Sequence, residues 1–234
     1  MRLIEIRRYP VKSMLGEVLP AAEIGERGVV GDRLWAVRDD DGKFGSGKNT
    51  RRFRRMPGLF GFRAYGTGSV PVVELPDGRR YAADDPAGHR AVGDVLGRPV
   101  TLVPEATIPH HDEGPVSLLT TASLRALTEL SGGEPDGAGI NPLRFRTNLL
   151  IDLPGNGFPE DEWPGRTVRI GTDVVLRVIR PLTRCVMIDM AQDGAVERDD
   201  LLKILGGHRE LTFGVVATVE HPGRAAAGDA CACG

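Results

Sequence analysis

Apolar and polar residues along this chain alternate in short runs more often than they recur every three or four positions, which is the spacing of half-buried strands. Runs at Arg2 to Tyr9, Leu34 to Arg38, Val70 to Leu75, Val100 to Val103, Asn148 to Leu153, Val168 to Ile170, Val174 to Ile179 and Leu211 to Val219 predict strands, with turn-forming residues between them. Three stretches break the period of two and predict helices. In DDPAGHRAVGDVLG, Asp85 can cap, Pro86 suits the first helical position, and Gly97 can stop the segment. In TTASLRALTELSGG, Thr121 can cap a helix with Leu124, Leu127 and Leu130 on one face, halted by Gly132 and Gly133. In RDDLLKILGG, Asp199 can cap a short helix ended by Gly206. The fold class is mainly β with a few helices, an α+β arrangement.

Length and composition bound this picture without changing it. A chain of 234 residues forms one large domain or two small ones, and its 31 glycines and 17 prolines suit a turn-rich β protein. The polar run HHDEGP, His110 to Pro115, is the expected boundary, a solvated loop dividing residues 1–108 from 109–234. Lys and Arg total 30 against 32 Asp and Glu, a net charge of -2, so no global basic field points to nucleic acid or an anionic membrane. Any anion site must be local. No stretch approaches the roughly 20 apolar residues of a membrane span, the N-terminal residues lack a secretory core, and three cysteines make no disulfide framework. A cytoplasmic protein without a membrane or nucleic-acid partner is expected. The tail AAAGDACACG reads as a terminal strand or a frayed end, with Cys231 and Cys233 on one face if extended.

The chemistry gathers around Cys185, in TRCVMID, after the run from Val174 that is expected to break at Pro181. Loops at strand ends are where function concentrates, and Arg180 and Arg184 favour the thiolate, the nucleophilic and metal-ligating form. Basic residues recur at other strand ends. Lys12 and Ser13 follow Pro10 in RRYPVKS, and Arg33 follows Asp32 in GDRLW, either forking onto an anion or pairing with that acid. In NPLRFRTNLLID, strand parity places Arg144, Arg146 and Asn148 on one face, costly to bury without an acid or an anion to meet them. GKFGSGK fits the spacing of a phosphate-binding P-loop but puts Asn49 where Ser or Thr must follow the lysine, so nucleotide hydrolysis is not expected. Lys48, Arg51 and Arg52 could still contact an anion.

Taken in order along the chain, YPVKS, GDRLW, the SGK loop with RRFRRMPGLF, LLTTASL, RFRTNLLID and TRC resemble the MOSC (molybdenum cofactor sulfurase C-terminal) family. The likeness is to its two-part members with an N-terminal β-barrel-like half, a group that includes the mitochondrial amidoxime-reducing component. The resemblance implies two β-barrel-like halves, 1–108 and 109–234, and a pterin-bound molybdenum cofactor. It implies Cys185 as the metal ligand, with Lys12, Ser13, Arg33, Thr120, Arg146 and Asn148 around the pterin. Arg144 and Arg184 join that set by position. The implied reaction is reduction of N-hydroxylated compounds, small molecules of the amidoxime or hydroxylated-base kind. Its electrons would come from a separate flavin, haem or iron–sulfur donor protein, which RRFRR at Arg51 to Arg55 could dock. The alternative is a sulfur-carrier or cofactor-delivery protein using Cys185 as a persulfide or transfer site. The chain departs from the family pattern at Thr147, where relatives often have Pro, and after the cysteine, where Asp189 to Gln192 replace a Thr and an Asp-Pro pair. Asp189 is a candidate catalytic proton donor or a solvated acid.

Overall fold

The structure is a computed structural model that describes residues 1–66, 68–134 and 137–234. Its largest sheet has eight strands, in the order Cys231–Cys233, Thr167–Ile170, Val174–Thr183, Thr212–His221, Val116–Thr120, Leu149–Asp152, Arg2–Arg8 and Glu17–Leu19. The sheet curls back on itself. Arg2 bridges Ala230, the Leu3 amide donates to the Asp229 carbonyl at 2.9 Å, and the Cys231 amide donates to the Met1 carbonyl at 3.0 Å. Closure gives edge groups partners and encloses a core that includes Leu3, Ile6, Leu118, Leu149, Leu176 and Val215.

A second β unit pairs Val100–Pro104, Trp35–Asp39, Phe44–Ser46 and Phe53–Arg55 in one sheet, and Arg80–Ala82, Val72–Glu74 and Arg63–Tyr65 in another. Val11 bridges Trp35 and Leu15 bridges Arg63, so residues 11–15 join the two sheets over a separate core that includes Met14, Val37, Phe62, Val73 and Leu102. Helix α1, Pro86–Leu96, closes this unit, with the Asp85 side chain accepting from the Ala87 amide and Gly97 left-handed at its end. The molecule thus has two β-rich, barrel-like halves. The two cores do not part at residue 108. Strands at Arg2–Arg8 and Glu17–Leu19 complete the sheet of the second half, and Ala21–Gly25 pairs with Gly223–Ala226, so the chain's start is shared between halves.

Helix α2 spans Thr121–Ser131 and α3 spans Leu201–Arg209. Three local expectations are corrected. Thr120, not Thr121, caps α2, its Oγ1 accepting from the Ser123 amide at 3.1 Å, because the Thr121 hydroxyl donates to Asp152 instead. Helix α3 runs through Gly206 to Arg209, held by Leu201 and Leu205 in a third core cluster, and the side chain of Asp199 does not cap it. The strand from Val174 continues through Pro181 to Thr183. Its neighbour Thr167–Ile170 pairs only with Val174–Arg177, so on that side Pro181 faces no ladder, and register shifts absorb it on the other. The tail forms the short strand Cys231–Cys233, with Cys231 packed into the larger core.

Candidate functional site

A cleft of about 190 Å³ lies where the halves meet, and residues of both line it. Lys12, Ser13, Arg33 and Lys48 come from the first half, and Arg146, Arg184 and Cys185 from the second. Cys185, half-buried, follows the strand ending at Thr183 and opens a single 3-10 turn, Val186–Ile188. The loop carrying Gly47 closes over that turn. A Cβ at Gly47 would come within 2.4 Å of Met187 Cγ, so close packing on the cysteine's turn accounts for this glycine of the P-loop-like stretch.

Cations are buried here in unusual density. Arg184 donates through Nε to the Phe213 carbonyl at 2.7 Å and through Nη1 to the Phe145 carbonyl at 2.8 Å, while its buried Nη2 has no hydrogen-bond partner among the described residues. Burial, partly offset by Cys185, pushes its guanidinium down to about 9. Arg146 adopts φ 51°, the left-handed region that a non-glycine residue enters at a cost, and Arg33 holds the turn by donating to the Arg146 carbonyl at 3.0 Å. Arg146 Nη2 donates to the Met14 carbonyl at 2.7 Å, and its Nη1 is unpartnered among the described residues. Burial lowers Arg146 to about 10, with Arg33 adding to the effect. Both guanidiniums lie over the Tyr9 ring, Arg146 at 4.3 Å and Arg33 at 4.9 Å from its centroid. Arg33 also pairs with Asp32, which outweighs burial and keeps it raised, so the pairing reading of GDRLW is the one the structure shows. Lys12 donates to Asp112 at 2.6 Å and to the His110 carbonyl at 2.9 Å, yet burial lowers it to about 8.

Not every residue picked out in the sequence serves the cleft. Arg144 touches it, but its guanidinium turns away to Glu134, at 2.7 and 2.9 Å, and to the Ile188 and Val196 carbonyls. Residues Pro142–Phe145 form a 3-10 turn and not a strand, so the parity that grouped Arg144 with Arg146 does not apply. Asn148 lines the cleft while bonding the Arg7 carbonyl and Ser117, which ties strands together. Thr120 is fully buried in its capping role and donates to Glu160 at 2.8 Å, outside the cleft lining. Asp189 also lies outside that lining. Its carboxylate accepts from the Leu201 and Leu202 amides at 3.0 and 3.3 Å and so caps α3 from a distant loop. Burial raises it despite those amides. Arg180 is exposed and pairs with Glu113.

The HHDEGP run is a loop solvated only in part, with Asp112 and Glu113 exposed and the two histidines turned inward. His110 is 1% exposed, its amide donates to Glu105, and Lys12 pins the loop from the first half. His111 lines the cleft with Nε2 3.7 Å from Asp32, and burial holds both imidazoles down to about 4. Asp112 is the counter-charge of Lys12. Lys12 and its basic neighbours overcome burial and keep that carboxylate low. Tyr9 is thus a site residue the sequence did not single out, and His111 and Asp112 are site residues within a run that it read as a solvated loop. Only Tyr9, between a strand end and Pro10, carried a usable signal. Among the described residues, no three His, Cys, Asp or Glu side chains gather to hold a bare metal ion.

Residues 105–232 match the MOSC domain, and residues 1–84 match the MOSC N-terminal beta barrel domain. The chain belongs to the MOSC family. It is similar in structure to the YuaD protein from Bacillus subtilis, at 14% identity and a TM-score of 0.54, over 98% of this chain and 93% of that one. A second similar structure is YiiM from Geobacillus stearothermophilus, at 15% identity and a TM-score of 0.39, over 51% of this chain and 54% of that one. No protein of curated function matches. These likenesses concern the fold. The MOSC domain is associated with the molybdenum cofactor, and among the described residues of this member no helix is long and apolar enough to cross a membrane.

Proposed function

We propose that this MOSC protein binds a pterin-bound molybdenum cofactor in the cleft and reduces small N-hydroxylated compounds with electrons from a separate donor protein. The observation that carries the reading is Cys185 beside two buried guanidiniums, Arg146 and Arg184, each with an unpartnered buried nitrogen among the described residues. A thiolate suits a soft metal, and buried cations with free donors suit an anionic pterin. When bound, such a group would supply the two-electron redox chemistry.

The chain's own residues then have separable tasks. Cys185 would ligate the metal. Lys12, Ser13, Arg33, Arg146 and Arg184 would hold the anionic part, with Tyr9 stacking beneath two of the guanidiniums. Leu182, Met187 and Val216 line the cleft with apolar surface that excludes water. Arg144 and Asn148 act as positioning residues, since their polar groups are engaged with protein. Thr120 and Asp189 hold helix ends, and no proton-transfer role is assigned to Asp189. For donor docking, Arg54 is occupied by Asp39 and Asp41 and Arg52 by the Pro109 carbonyl, so exposed Arg51 and Arg55 are the residues to test.

The test is metal and pterin analysis of protein made in a host competent for the cofactor. About one molybdenum per chain is expected, lost in Cys185→Ser while the protein stays folded, together with amidoxime reduction when a donor is supplied. A sulfane sulfur on Cys185 without molybdenum would sink the oxidoreductase and favour a sulfur carrier.

A further inference from the structure

A second cavity, of about 40 Å³, shares only Arg146 with the cleft. It is walled by Arg7, Tyr9, Arg63 and Asp193 and by residues of the 15–18 segment, including Glu17. Arg7 is 5% exposed and Tyr9 3% exposed, and Arg7 Nη1, the Tyr9 hydroxyl and Arg146 Nη1 all have no hydrogen-bond partner among the described residues. We propose that this cavity binds a small inorganic anion of chloride size.

Three observations support it. First, the polar groups left over are donors, two of them cationic. A buried donor left unmade costs about 1 to 3 kcal/mol, more when charged. Second, the nearby acids are committed. Glu17 accepts from Arg8 at 2.7 and 3.0 Å and from the Gly66 amide at 3.1 Å, Asp193 pairs with Arg63, and Glu5 pairs with Arg7 at Nε. No acid within salt-bridge distance answers Arg146 among the described residues, although Asp32 and Asp112 act on it from further away. Third, the volume exceeds the roughly 10 to 15 Å³ needed for one water, yet is far too small for a pterin. A water molecule accepts two hydrogen bonds and leaves the guanidinium charge uncompensated. A monovalent anion accepts from all three donors and neutralises Arg146, the guanidinium of the two that has no carboxylate of its own. The inference shares Arg146 with the cofactor reading, but Arg7 lines this cavity alone, so chloride-dependent Tm of the cofactor-free protein and molybdenum content are separate readouts.

The experiment is thermal unfolding of the cofactor-free protein at constant ionic strength, chloride replacing the bulky anion gluconate, with bromide-soaked crystals to locate the ion. The expected result is a saturable rise in Tm with chloride, a bromide peak between Arg7 and Tyr9, and a midpoint shifted about fivefold upward in Tyr9→Phe, which keeps the ring but loses the hydroxyl. Lys48→Gln, in the main cleft, should leave the midpoint where it is. No saturable difference between the two anions overturns the proposal. So does an unchanged midpoint in Tyr9→Phe, a bromide peak confined to the main cleft, or binding at crystal concentration only.

Discussion

Arg144 and Arg146 stand two residues apart, both more than nine-tenths buried, in opposite electrostatic surroundings. On the Arg144 side the fork meets Glu134 and two carbonyls, Arg198 is paired with Asp200, and Asp189 caps a helix. Its charges and hydrogen bonds close on themselves. On the Arg146 side Lys12, Arg33, Arg146 and Arg184 line one cleft, and Asp32 and Asp112 are the acids within salt-bridge distance of them among the described residues. Donors are left over and the histidines stay neutral. The first arrangement is that of a structural ion pair, and the second leaves buried donors unmatched. Burial alone does not separate the two. What separates them is whether a buried guanidinium has its own carboxylate.

The comparison is tested most severely at Glu134. Removing its charge in Glu134→Gln strands Arg144 in the interior, and urea unfolding should show a loss of about 3 to 5 kcal/mol. On the other side the strongest test is pH. Both imidazoles are held near 4 by burial, His110 facing Glu105, Lys12, Arg52 and Arg27, and His111 facing Arg33, Arg27, Asp32 and Glu105. In the unfolded chain they take up protons near 6.5, so the unfolded state binds more protons between about 4 and 6.5 and stability falls as pH drops through that window. The loss should reach about 1 to 2 kcal/mol per histidine, read as a pH-dependent Tm that flattens when both become Gln. Asp189→Ala should cost about 1 kcal/mol by uncapping α3 while leaving molybdenum content unchanged, and a loss of cofactor or a shifted pH–rate profile would return Asp189 to the site. Smallest in stability is Arg146→Met. Relief from a buried, unmatched charge should roughly offset the lost Met14 hydrogen bond and the stacking on Tyr9, a net change within about 1 kcal/mol, while anion and cofactor retention collapse.

Local signals in the chain carried much of the fold. Alternation located the strands at Arg2–Arg8, Val174–Thr183 and Thr212–His221, and Asp85 with Gly97 bounded α1, because these features depend on neighbours in sequence. Phe44–Ser46 and Val116–Thr120 were missed, although strands as short, such as Val100–Pro104 and Thr167–Ile170, were located. The HHDEGP run was misread for a physical reason. Its composition is that of a loop, and only the packing of both halves around it turns its histidines inward. Asp189 illustrates the same limit, for a cap supplied from another loop leaves no mark beside the helix it caps.

By itself the sequence determined the family, the β-rich fold class, the lone thiol after a long strand, and the local basic residues in a chain of nearly balanced charge. Each of these is a property of residue type and order. Tertiary structure alone decided which cations are neutralised and which are left without an acid. It paired Arg144 with Glu134, Lys12 with Asp112 and Arg33 with Asp32, and it left Arg146 and Arg184 without an acid in salt-bridge range among the described residues. The physical reason is that a guanidinium's surroundings depend on which groups lie within a few ångströms, and residues that meet here, such as Met14 and Arg146, are 132 positions apart in the chain.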